Sequence, residues 1–434
     1  MENLKKLISD GKAKIGIIGL GYVGLPLAVE FAEKGFAVTG FEVDASKVKA
    51  INAGKSYILD VPEEQVKRLH KRGLLDATLD FNGLGKQDAI IICVPTPLRK
   101  SKDPDVSYIV SATDAIKKRL RKGQLIILES TTYPGTTVEL TKPVLEAFTG
   151  LKAGKDFFLA FSPERVDPGN KKFGIPNTPK VVGGYTKVCG DLAAQLYGVA
   201  VHRVVKVSST EAAEMVKLVE NTFRAVNIGL VNEIALMCHR LGLNVWEVLD
   251  AAASKPFGFM PFQPGPGIGG HCIPLDPHYL GWKMRMLNFE PRFIDLAGVI
   301  NSGMPEYVAQ RTGEALNLHG KCLKGSKILV LGLAYKPDIS DPRESPAMDV
   351  IAQLEKTHAH VEYHDPYVPT AVVEGNKMQS VPLSAQSVKK YDCVVIVTNH
   401  SCIDYEMVVK NSKLVFDTRN ATKRLPPAKN VCLL

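Results

Sequence analysis

A glycine-rich turn between an apolar strand and a helix limits what this chain can fold into more than any other feature. The sequence AKIGIIGLGYVGLPLA places a β-branched strand, 14–18, directly before Gly19, Gly21 and Gly24. Gly19 permits a tight turn, Gly21 lets the backbone approach a pyrophosphate, and Gly24 lets the helix pack on the strand. The N-terminus of that helix then faces the anion. The pattern therefore predicts a dinucleotide-binding βαβ unit of the Rossmann type.

The residue that follows the second predicted strand, 37–41, is the carboxylate Glu42. A carboxylate in this place can accept hydrogen bonds from both ribose hydroxyls of NAD and would repel the 2′-phosphate of NADP. A glycine-rich turn without a ligand is the alternative interpretation. Strand, glycines, helix and acid coincide, and this favours the ligand site. The sequence therefore predicts NAD as the cofactor.

Four further apolar segments predict strands that continue an open parallel sheet. Their ranges are 89–94, 125–128, 157–161 and 203–207. Ligands of such sheets bind beyond the carboxyl ends of the strands, so we expect the polar side chains found there to line one crevice. Those side chains are Thr96, Ser130, Thr131 and Glu164. Alternatively, a serine or threonine after a strand caps the next helix.

The middle of the chain predicts one long helix. Residues 211–241 keep an apolar helical periodicity without proline, and Ser208 with Glu211 fits a capping box. Lys217 and Asn221 are four residues apart, which places an ammonium and an amide on one face of the helix. The two groups either converge on one oxygen atom of a ligand or form a solvated polar stripe.

A loop rich in glycine and proline follows and carries a cysteine. The segment PFQPGPGIGGHCIPLDPHYL, 261–280, cannot form a regular element. Its glycines let the backbone approach a ligand and leave Cys272 in a constrained position, with Asp276 four residues further on. Cys272 is thus a candidate nucleophile, and a buried, inert cysteine is the alternative. We expect His271 to form a hydrogen bond within the loop.

The last third of the chain repeats an α/β pattern. The predicted strands are 327–333, 361–364, 393–398 and 414–417. Ser345 and Pro346 fit the N-cap and the first turn of a helix. No second Gly-x-Gly-x-x-Gly motif follows the first of these strands, so a second dinucleotide is not predicted. Lys336, Arg343 and Arg419 follow strands, where they either face the phosphates or base of a nucleotide or are ordinary surface charges.

These patterns predict an α/β fold with two doubly wound Rossmann-like domains joined by a central helical domain that contains one long helix. We place an NAD-binding domain at 1–207, a central helical domain at 208–320 and a C-terminal Rossmann-like domain at 321–434. With 434 residues, 45% of them hydrophobic and 23% charged, the chain has the composition of an ordinary globular protein rather than of a disordered or fibrous one.

Composition also argues against several classes of partner. No apolar run reaches about 18 residues and the first residues carry no apolar signal core, so we expect a cytoplasmic protein that does not cross a membrane. The net charge of +9 is diffuse, which fits small anionic ligands and is weak evidence for nucleic acid. The eight cysteines contain no Cys-x-x-Cys pair, so neither a disulfide framework nor a metal site is predicted.

Five segments together resemble the UDP-glucose/GDP-mannose dehydrogenase family. They are GIIGLGYVGLPLA, SPERVDPGN, EMVKLVENTFRAVN, PGPGIGGHCIPLDP and GLAYKPDISDPRESPA. They occur in the order found in the family, and the second and fourth are most similar to the branch that acts on UDP-N-acetylhexosamines. The resemblance implies an NAD-dependent, four-electron oxidation of the sugar C6 alcohol to a carboxylate, for polysaccharide precursors. UDP-N-acetylglucosamine is the first choice of substrate, and UDP-N-acetylmannosamine or UDP-glucose is the alternative.

The resemblance also implies roles for individual residues. Cys272 would form a thiohemiacetal and then a thioester, Lys217 and Asn221 would stabilise oxyanions, and Asp276 would assist proton transfer. Glu164 and Thr131 would position water. The implied cofactor contacts are Gly19, Gly21, Tyr22, Val23, Gly24, Glu42, Lys47, Thr96, Thr131 and Arg343. The implied substrate contacts are Glu164, Arg165, Val166, Lys217, Asn221, Gly267, Gly269, Tyr335, Lys336 and Arg419.

The sequence departs from the pattern of the UDP-glucose branch at one position, and the family resemblance allows more than one oligomeric state. The UDP-glucose branch has a second acidic residue four positions after the one matching Glu164, and here that position is Pro168. Its water-handling role then falls to Asp167 or to Glu164. The long helix implies a homodimer, as in the family, or a higher homo-oligomer.

Two other functions compete with this interpretation. A two-electron hydroxyacid dehydrogenase also pairs lysine and asparagine on a helix after a Rossmann domain, but it leaves the Cys272 loop unexplained and would yield one NADH per substrate. A non-catalytic protein that binds nucleotide sugars is possible because a fold alone does not prove activity. The joint presence of Lys217, Asn221, Cys272 and Asp276 argues against it.

Overall fold

The structure, a computed structural model, describes residues 1–58, 60–99, 103–166, 172–270 and 272–434. These residues divide into two compact units. The first unit comprises Met1–Glu220 with His278–Asn288, and the second comprises Asn221–Pro277 with Phe289–Leu434. Each unit contains a largely parallel sheet with helices, so the predicted α/β fold class is confirmed.

An eight-stranded sheet forms the centre of the first unit, in the order β3-β2-β1-β4-β5-β6-β7-β8. Its strands are β1 (Ile15–Ile18), β2 (Val38–Phe41), β3 (Leu75–Thr78), β4 (Ala89–Ile92), β5 (Leu125–Leu128), β6 (Phe158–Phe161), β7 (Lys180–Gly184) and β8 (Val204–Val207). The inner strands read as continuous apolar runs because both faces of the sheet are covered. The helices of this unit are α1 (Glu2–Ser9), α2 (Gly24–Glu33), α3 (Ala45–Asn52), α4 (Glu63–Lys71), α5 (Ser107–Lys117), α6 (Lys142–Thr149) and α7 (Lys187–Ala200). Short 3-10 and π turns cover Phe81–Lys86 and Thr137–Thr141.

The order of the strands reverses between β1 and β4. β1 pairs in parallel with β2 on one side and with β4 on the other. The connections after these two strands therefore leave in opposite directions and open a crevice at their carboxyl ends. The glycine turn follows β1 at this switch point.

Part of this sheet differs from the sequence-based expectation. β7 runs antiparallel to β6, and β8 is parallel to β7, so the predicted strand near 204–207 exists but runs in the opposite direction to the first six. β3 and β7 were not predicted. β3 is a half-polar edge strand, and two glycines at the end of β7 weaken its strand pattern.

The predicted long helix is confirmed as α8 (Thr210–Leu241). Its cap is one residue later than predicted, because the Ser209 hydroxyl, and not that of Ser208, accepts a hydrogen bond from the Ala212 N–H at 3.1 Å. Three more helices follow: α9 (Val245–Ala253), α10 (Asp276–Met286) and α11 (Arg292–Asn317).

A parallel five-stranded sheet forms the centre of the second unit, in the order β10-β9-β13-β14-β15. Its strands are β9 (Lys327–Leu331), β10 (His360–His364), β13 (Cys393–Ile396), β14 (Val415–Asp417) and β15 (Val431–Leu433), and β11 (Thr370–Val373) with β12 (Asn376–Gln379) forms a separate hairpin. The helices are α12 (Pro346–Lys356), α13 (Ala385–Val388) and α14 (Tyr405–Asn411). Ser345 caps α12 as predicted. The hairpin and β15 are short and partly exposed, and the sequence pattern did not predict them.

Across the described ranges, no helix is long and apolar enough to span a membrane. In the same part of the chain, no three His, Cys, Asp or Glu side chains are grouped so that they could hold a metal ion.

Candidate active site

The glycine turn of the first unit has the shape that a dinucleotide needs. Gly19 has a φ of +89°, and a Cβ atom there would lie 2.5 Å from the carbonyl oxygen of Cys93. A Cβ atom on Gly24, the first residue of α2, would lie 1.9 Å from the Gly19 carbonyl oxygen. Gly21 instead faces open space, with no atom within 4 Å of such a Cβ. The turn is thus tight where it packs and open where a pyrophosphate can approach.

Glu42 lies beside this turn and is nearly buried. Its Oε2 atom accepts a hydrogen bond from the Leu20 N–H at 2.9 Å, and its Oε1 atom accepts one from the Val43 N–H at 2.8 Å. The Lys47 ammonium, on α3, lies 3.6 Å from Oε2. The Oε1 atom also accepts a hydrogen bond from the Asp44 N–H at 3.3 Å. The carboxylate is therefore fixed against the glycine turn, and Oε2 keeps a further lone pair for a ligand hydroxyl.

The segments after β4 and β5 are tied together and to α10. The Ser130 hydroxyl bonds both the N–H and the C=O of Val94, at 2.9 and 2.8 Å. Ser130 is buried and serves this link, whereas the neighbouring Thr131 is half-buried. The Tyr279 hydroxyl, on α10, donates to the carbonyl oxygen of Thr96. These bonds fix two of the predicted cofactor-contact segments.

Glu164 lies in a buried cluster of charges. Its Oε2 atom is 2.9 Å from the Lys180 ammonium, and its Oε1 atom accepts hydrogen bonds from the Arg165 and Val166 N–H groups at 2.8 and 2.6 Å. Burial opposes its ionisation, but Lys180 and the backbone donors outweigh burial and hold the pKa of Glu164 at about 2. Glu164 is therefore an ionised acceptor at neutral pH.

Arg165 is already engaged within the first unit. Its guanidinium pairs with Glu220 at 2.5 Å and donates to the Pro179 carbonyl oxygen at 2.6 Å. Pro168 stands where the UDP-glucose branch has its second acidic residue, and Asp167 is a candidate for that residue's role. Both residues lie outside the described ranges.

Glu214 on α8, one helical turn before Lys217, is a buried glutamate that the sequence pattern did not indicate. Glu214 accepts hydrogen bonds from the Gly135 N–H at 2.6 Å and the Thr137 N–H at 2.9 Å, which ties α8 to the loop after Thr131. Burial raises the pKa of Glu214 to about 7, against these hydrogen bonds. Lys217 itself is half-buried, and among the described residues no carboxylate forms an ion pair with it.

In the second unit, the structure brings Asn221 and Asp276 together. The Asn221 amide donates to the Asp276 carboxylate at 2.6 Å, and both side chains are buried. Asp276 begins α10, and its N–H donates at 2.8 Å to the carbonyl oxygen of Cys272, which is an exposed residue. The amide, the carboxylate and the cysteine thus belong to one turn-and-helix junction. His271 lies outside the described residues.

The glycines before Cys272 allow close contact with the loops of the C-terminal sheet. A Cβ atom on Gly269 would lie 2.6 Å from the Cβ of Tyr335, and one on Gly270 would lie 2.8 Å from the Tyr335 ring. Gly267 has a φ of +128°, and a Cβ atom there would lie 3.0 Å from Pro346. The loop is therefore seated on the segment that carries two predicted substrate contacts, Tyr335 and Lys336.

Arg419 and Arg343 differ in what they already bind. The Arg419 Nε atom donates to the Val397 carbonyl oxygen at 2.9 Å, and its guanidinium lies 2.6 Å from where a Gly265 Cβ would be. Within the described ranges no carboxylate forms an ion pair with Arg419, and burial lowers its pKa to about 10 despite Asp417. Arg343 is exposed and forms a two-pronged pair with Asp341, at 2.9 and 2.7 Å. Arg419 is thus the arginine prepared for an outside anion.

Asp365 holds the loop that leads to Tyr335. Its Oδ2 atom accepts from the N–H groups of Leu333 and Ala334 at 2.6 and 2.8 Å and contacts His400 at 3.0 Å. Burial opposes the charge, but these donors hold the pKa of Asp365 at about 2. Asp365 is another residue that the sequence pattern did not single out.

The Asp365 contacts predict acid sensitivity of the second unit. Because the folded-state pKa is depressed, the stabilisation is present above the unfolded-state pKa and is lost as pH falls from about 4 to about 2, an effect of about 2 kcal/mol. We expect the difference in unfolding free energy between wild type and Asp365→Asn to shrink over this interval, measured by urea unfolding at several pH values. A difference that stays constant would contradict the prediction.

Comparison with known proteins places the whole chain in one group. Models of the UDP-glucose/GDP-mannose dehydrogenase family match its NAD binding domain at residues 13–201, its central domain at 211–303 and its UDP binding domain at 329–424. The chain is 36% identical over 389 residues to UDP-N-acetyl-D-glucosamine 6-dehydrogenase of Pseudomonas aeruginosa, covering 89% of this chain and 90% of that protein. It is also 36% identical over 422 residues to UDP-N-acetyl-D-mannosamine dehydrogenase of Pyrococcus horikoshii, covering 95% and 97%.

Solved structures of nucleotide-sugar dehydrogenases also superpose on this chain. A UDP-D-ManNAc dehydrogenase from Pyrococcus horikoshii superposes with a TM-score of 0.88 at 36% identity, covering 97% of this chain and 98% of that one. An NDP-N-acetyl-D-galactosaminuronic acid dehydrogenase from Methanosarcina mazei has a TM-score of 0.84 at 32% identity, covering 100% and 97%.

Proposed function

This chain belongs to the UDP-glucose/GDP-mannose dehydrogenase family, and we propose that it oxidises the C6 alcohol of a UDP-N-acetylhexosamine to the carboxylate. It is an NAD-dependent UDP-sugar dehydrogenase. Our first choice of substrate is UDP-N-acetylglucosamine, which would give UDP-N-acetylglucosaminuronate for polysaccharide synthesis in the cytoplasm. UDP-N-acetylmannosamine is the alternative, because relatives named for both sugars are equally identical to the chain. Residues 1–207, 208–320 and 321–434 would act as the NAD-binding, central and UDP-sugar-binding domains.

The residues present in the first unit fit NAD. The open backbone at Gly21 suits a pyrophosphate, and the fixed Glu42 carboxylate suits ribose hydroxyls and disfavours a 2′-phosphate. NAD⁺ bound there would accept one hydride in each of two oxidation steps. Tyr22, Val23, Lys47, Thr96, Thr131 and Arg343 complete the proposed contacts.

A nucleophilic thiol at the exposed residue Cys272 would explain how an alcohol is oxidised to an acid. The first oxidation yields an aldehyde. The Cys272 thiolate adds to its carbonyl carbon and forms a thiohemiacetal, whose oxidation leaves a thioester. Attack by water on the thioester carbon releases the carboxylate and returns the thiolate. Without a nucleophile, the reaction would stop at the aldehyde.

The hydrogen bond between Asn221 and Asp276 is the observation that carries this proposal. It holds an amide donor and a carboxylate at the junction that begins with Cys272, where oxyanions would form and protons would move. Lys217 would add a positive charge to the oxyanions, and Asp276 would orient and accept protons. Glu164, ionised at neutral pH, would position the hydrolytic water together with Thr131.

The substrate contacts are proposed on the same grounds. Arg419 is half-buried and offers its guanidinium to an anion, which suits the diphosphate of a UDP-sugar. Lys336 and Tyr335 would contact the nucleotide, and the close-packed backbone at Gly267 and Gly269 would contact the sugar. Glu164, Arg165, Val166, Lys217 and Asn221 complete the set.

A panel of nucleotide sugars tests the substrate. Purified protein with NAD is offered UDP-N-acetylglucosamine, UDP-N-acetylmannosamine, UDP-glucose and GDP-mannose, and NADH formation is followed. We expect the highest kcat/KM with UDP-N-acetylglucosamine. A higher value with another sugar would correct the substrate, and no NADH from any of them would favour a non-catalytic binding protein.

A row of exposed apolar residues supports the proposed homodimer. On α8 the residues Phe223, Leu230, Met237 and Leu241 lie on one face and are 46%, 52%, 50% and 71% exposed. On α11, Phe293, Leu296 and Val299 form a second exposed row. Helix faces this apolar are usually covered by a partner, and we propose a second copy of this chain as that partner.

Changing Leu230 to aspartate tests the dimer. We expect the mass measured by light scattering to fall to that of one chain, 47.3 kDa, because a charge in an apolar interface loses its hydration. Leu79→Asp, at an equally exposed leucine of the first unit, serves as the control and should leave the mass unchanged. A wild-type mass of one chain would contradict the proposal.

A further inference from the structure

Glu164 is backed by three buried polar side chains that no role above uses. Lys180, the first residue of β7, lies between two carboxylates, with its ammonium 2.9 Å from Glu164 and in contact with Glu129. Glu129 directly follows β5 and accepts a hydrogen bond from the hydroxyl of Tyr197 on α7. We call Glu129, Glu164, Lys180 and Tyr197 the Lys180 cluster. The side chains of Glu129, Lys180 and Glu164 are 0%, 5% and 9% exposed.

The charges of the Lys180 cluster do not balance if both carboxylates are ionised. One ammonium then faces two carboxylates away from water, which leaves one negative charge uncompensated. The neighbouring Cys93 thiol is buried and neutral, because burial raises its pKa. Arg165 is paired with Glu220 and donates to the Pro179 carbonyl oxygen, so its charge is already engaged. Among the residues that the structure describes, Lys180 is therefore the cation on which the ionisation of Glu164 depends.

We propose that Lys180 is a positioning residue that holds Glu164 ionised and correctly oriented for the water that hydrolyses the Cys272 thioester, and that Glu129 and Tyr197 anchor Lys180. This inference rests on the function proposed above. Lys180 touches neither water nor substrate in this role; it acts through the Glu164 carboxylate.

Burial raises the pKa of both carboxylates, but the net shifts are opposite because the contacts that oppose burial differ, as this role requires. Burial raises the pKa of Glu129 to about 7, although Lys180 opposes the shift. For Glu164, burial is outweighed by Lys180 and by the Val166 N–H, and its pKa stays at about 2. Glu164, which accepts hydrogen bonds from the backbone, is thus ionised at neutral pH, whereas Glu129, whose pKa is about 7, is partly protonated there.

Removing the cation should change the pH dependence of one step. In Lys180→Met no ammonium from residue 180 opposes the effect of burial, so the pKa of Glu164 rises. The acid limb, which is the pH range where the rate of thioester hydrolysis falls because Glu164 becomes protonated, then moves to higher pH by about one to three pH units. The limb is measured by single-turnover quench and intact-mass detection of the acyl group on Cys272. We also expect the initial burst of two NADH per site to persist while the acyl-enzyme accumulates at acidic pH, below the shifted limb, where Glu164 of the variant is protonated.

Two further variants make the result specific. Glu129→Gln removes the competing carboxylate but keeps a partner for both Lys180 and Tyr197, so its acid limb should lie no higher than that of wild type. Lys206→Met, on the neighbouring strand β8 with an exposed ion pair to Asp191, controls for the loss of a lysine. If Lys180→Met does not fold, the double variant with Glu129→Gln, which buries one carboxylate fewer, is measured instead. Equal slowing of the burst and of hydrolysis, without a shift of the limb, would show that Lys180 is merely structural and overturn the proposal.

A substrate-free measurement separates this inference from the proposed function. Glutamate labelled with ¹³C at the carboxyl carbon reports ionisation by NMR, and Glu164→Gln identifies the signal. We expect the Glu164 signal to titrate at higher pH in Lys180→Met than in wild type. An unchanged titration would refute the role of Lys180 even in an active enzyme, whereas absence of NADH would refute only the proposed function.

Discussion

Replacing Cys272 with serine is expected to abolish the formation of the sugar acid. A hydroxyl is a weaker nucleophile than a thiolate, and the ester that it would form resists hydrolysis far more than a thioester does. We expect acid formation to fall by roughly 10³-fold or more, with aldehyde and a single NADH per substrate as the remaining products. Product analysis by mass spectrometry with an aldehyde trap measures this change.

Another exposed cysteine provides the matched control for this substitution. Cys322 lies between α11 and β9 and is also exposed, so Cys322→Ser should keep the wild-type rate. Wild-type acid production by Cys272→Ser would contradict a covalent mechanism and require hydration of a free aldehyde instead.

Replacing Lys217 with methionine is expected to have the second-largest effect. Lys217 is half-buried, and in the described part of the chain its ammonium forms no ion pair with a carboxylate. Removal of a charged donor from a developing oxyanion typically lowers kcat by roughly 100- to 1,000-fold, and we expect a loss in that range. Because no internal ion pair is broken, the melting temperature should change little.

The comparison of kcat with stability decides whether Lys217 acts chemically. Lys71→Met, at the exposed end of α4, is the control and should change neither quantity. A kcat within about tenfold of wild type would remove Lys217 from the proposed oxyanion site.

Local patterns were sufficient to predict the main elements that position the site. The glycine turn, Glu42 and helix α8 depend on spacing along the chain, and each lies where the pattern indicated. The spacing of Cys272 and Asp276 likewise placed both residues at one junction. Such features form from neighbours in sequence, which is why the sequence alone can indicate them.

Contacts between distant segments were not predictable in the same way. Lys180 meets Glu129 across 51 residues, and Glu214 meets Thr137 across 77, so no short motif announces either pair. β7 runs antiparallel to β6, and nothing in the pattern of its apolar residues sets that direction. A carboxylate directly after a buried strand, as Glu129 is, was an available signal.

The most direct test of the whole account is the amount of NADH formed from a limiting, known amount of UDP-N-acetylglucosamine. The proposed thioester route predicts two NADH for each sugar consumed and one equivalent of the uronate. One NADH per sugar, with an aldehyde or ketone as the product, would contradict the four-electron mechanism and the role of Cys272.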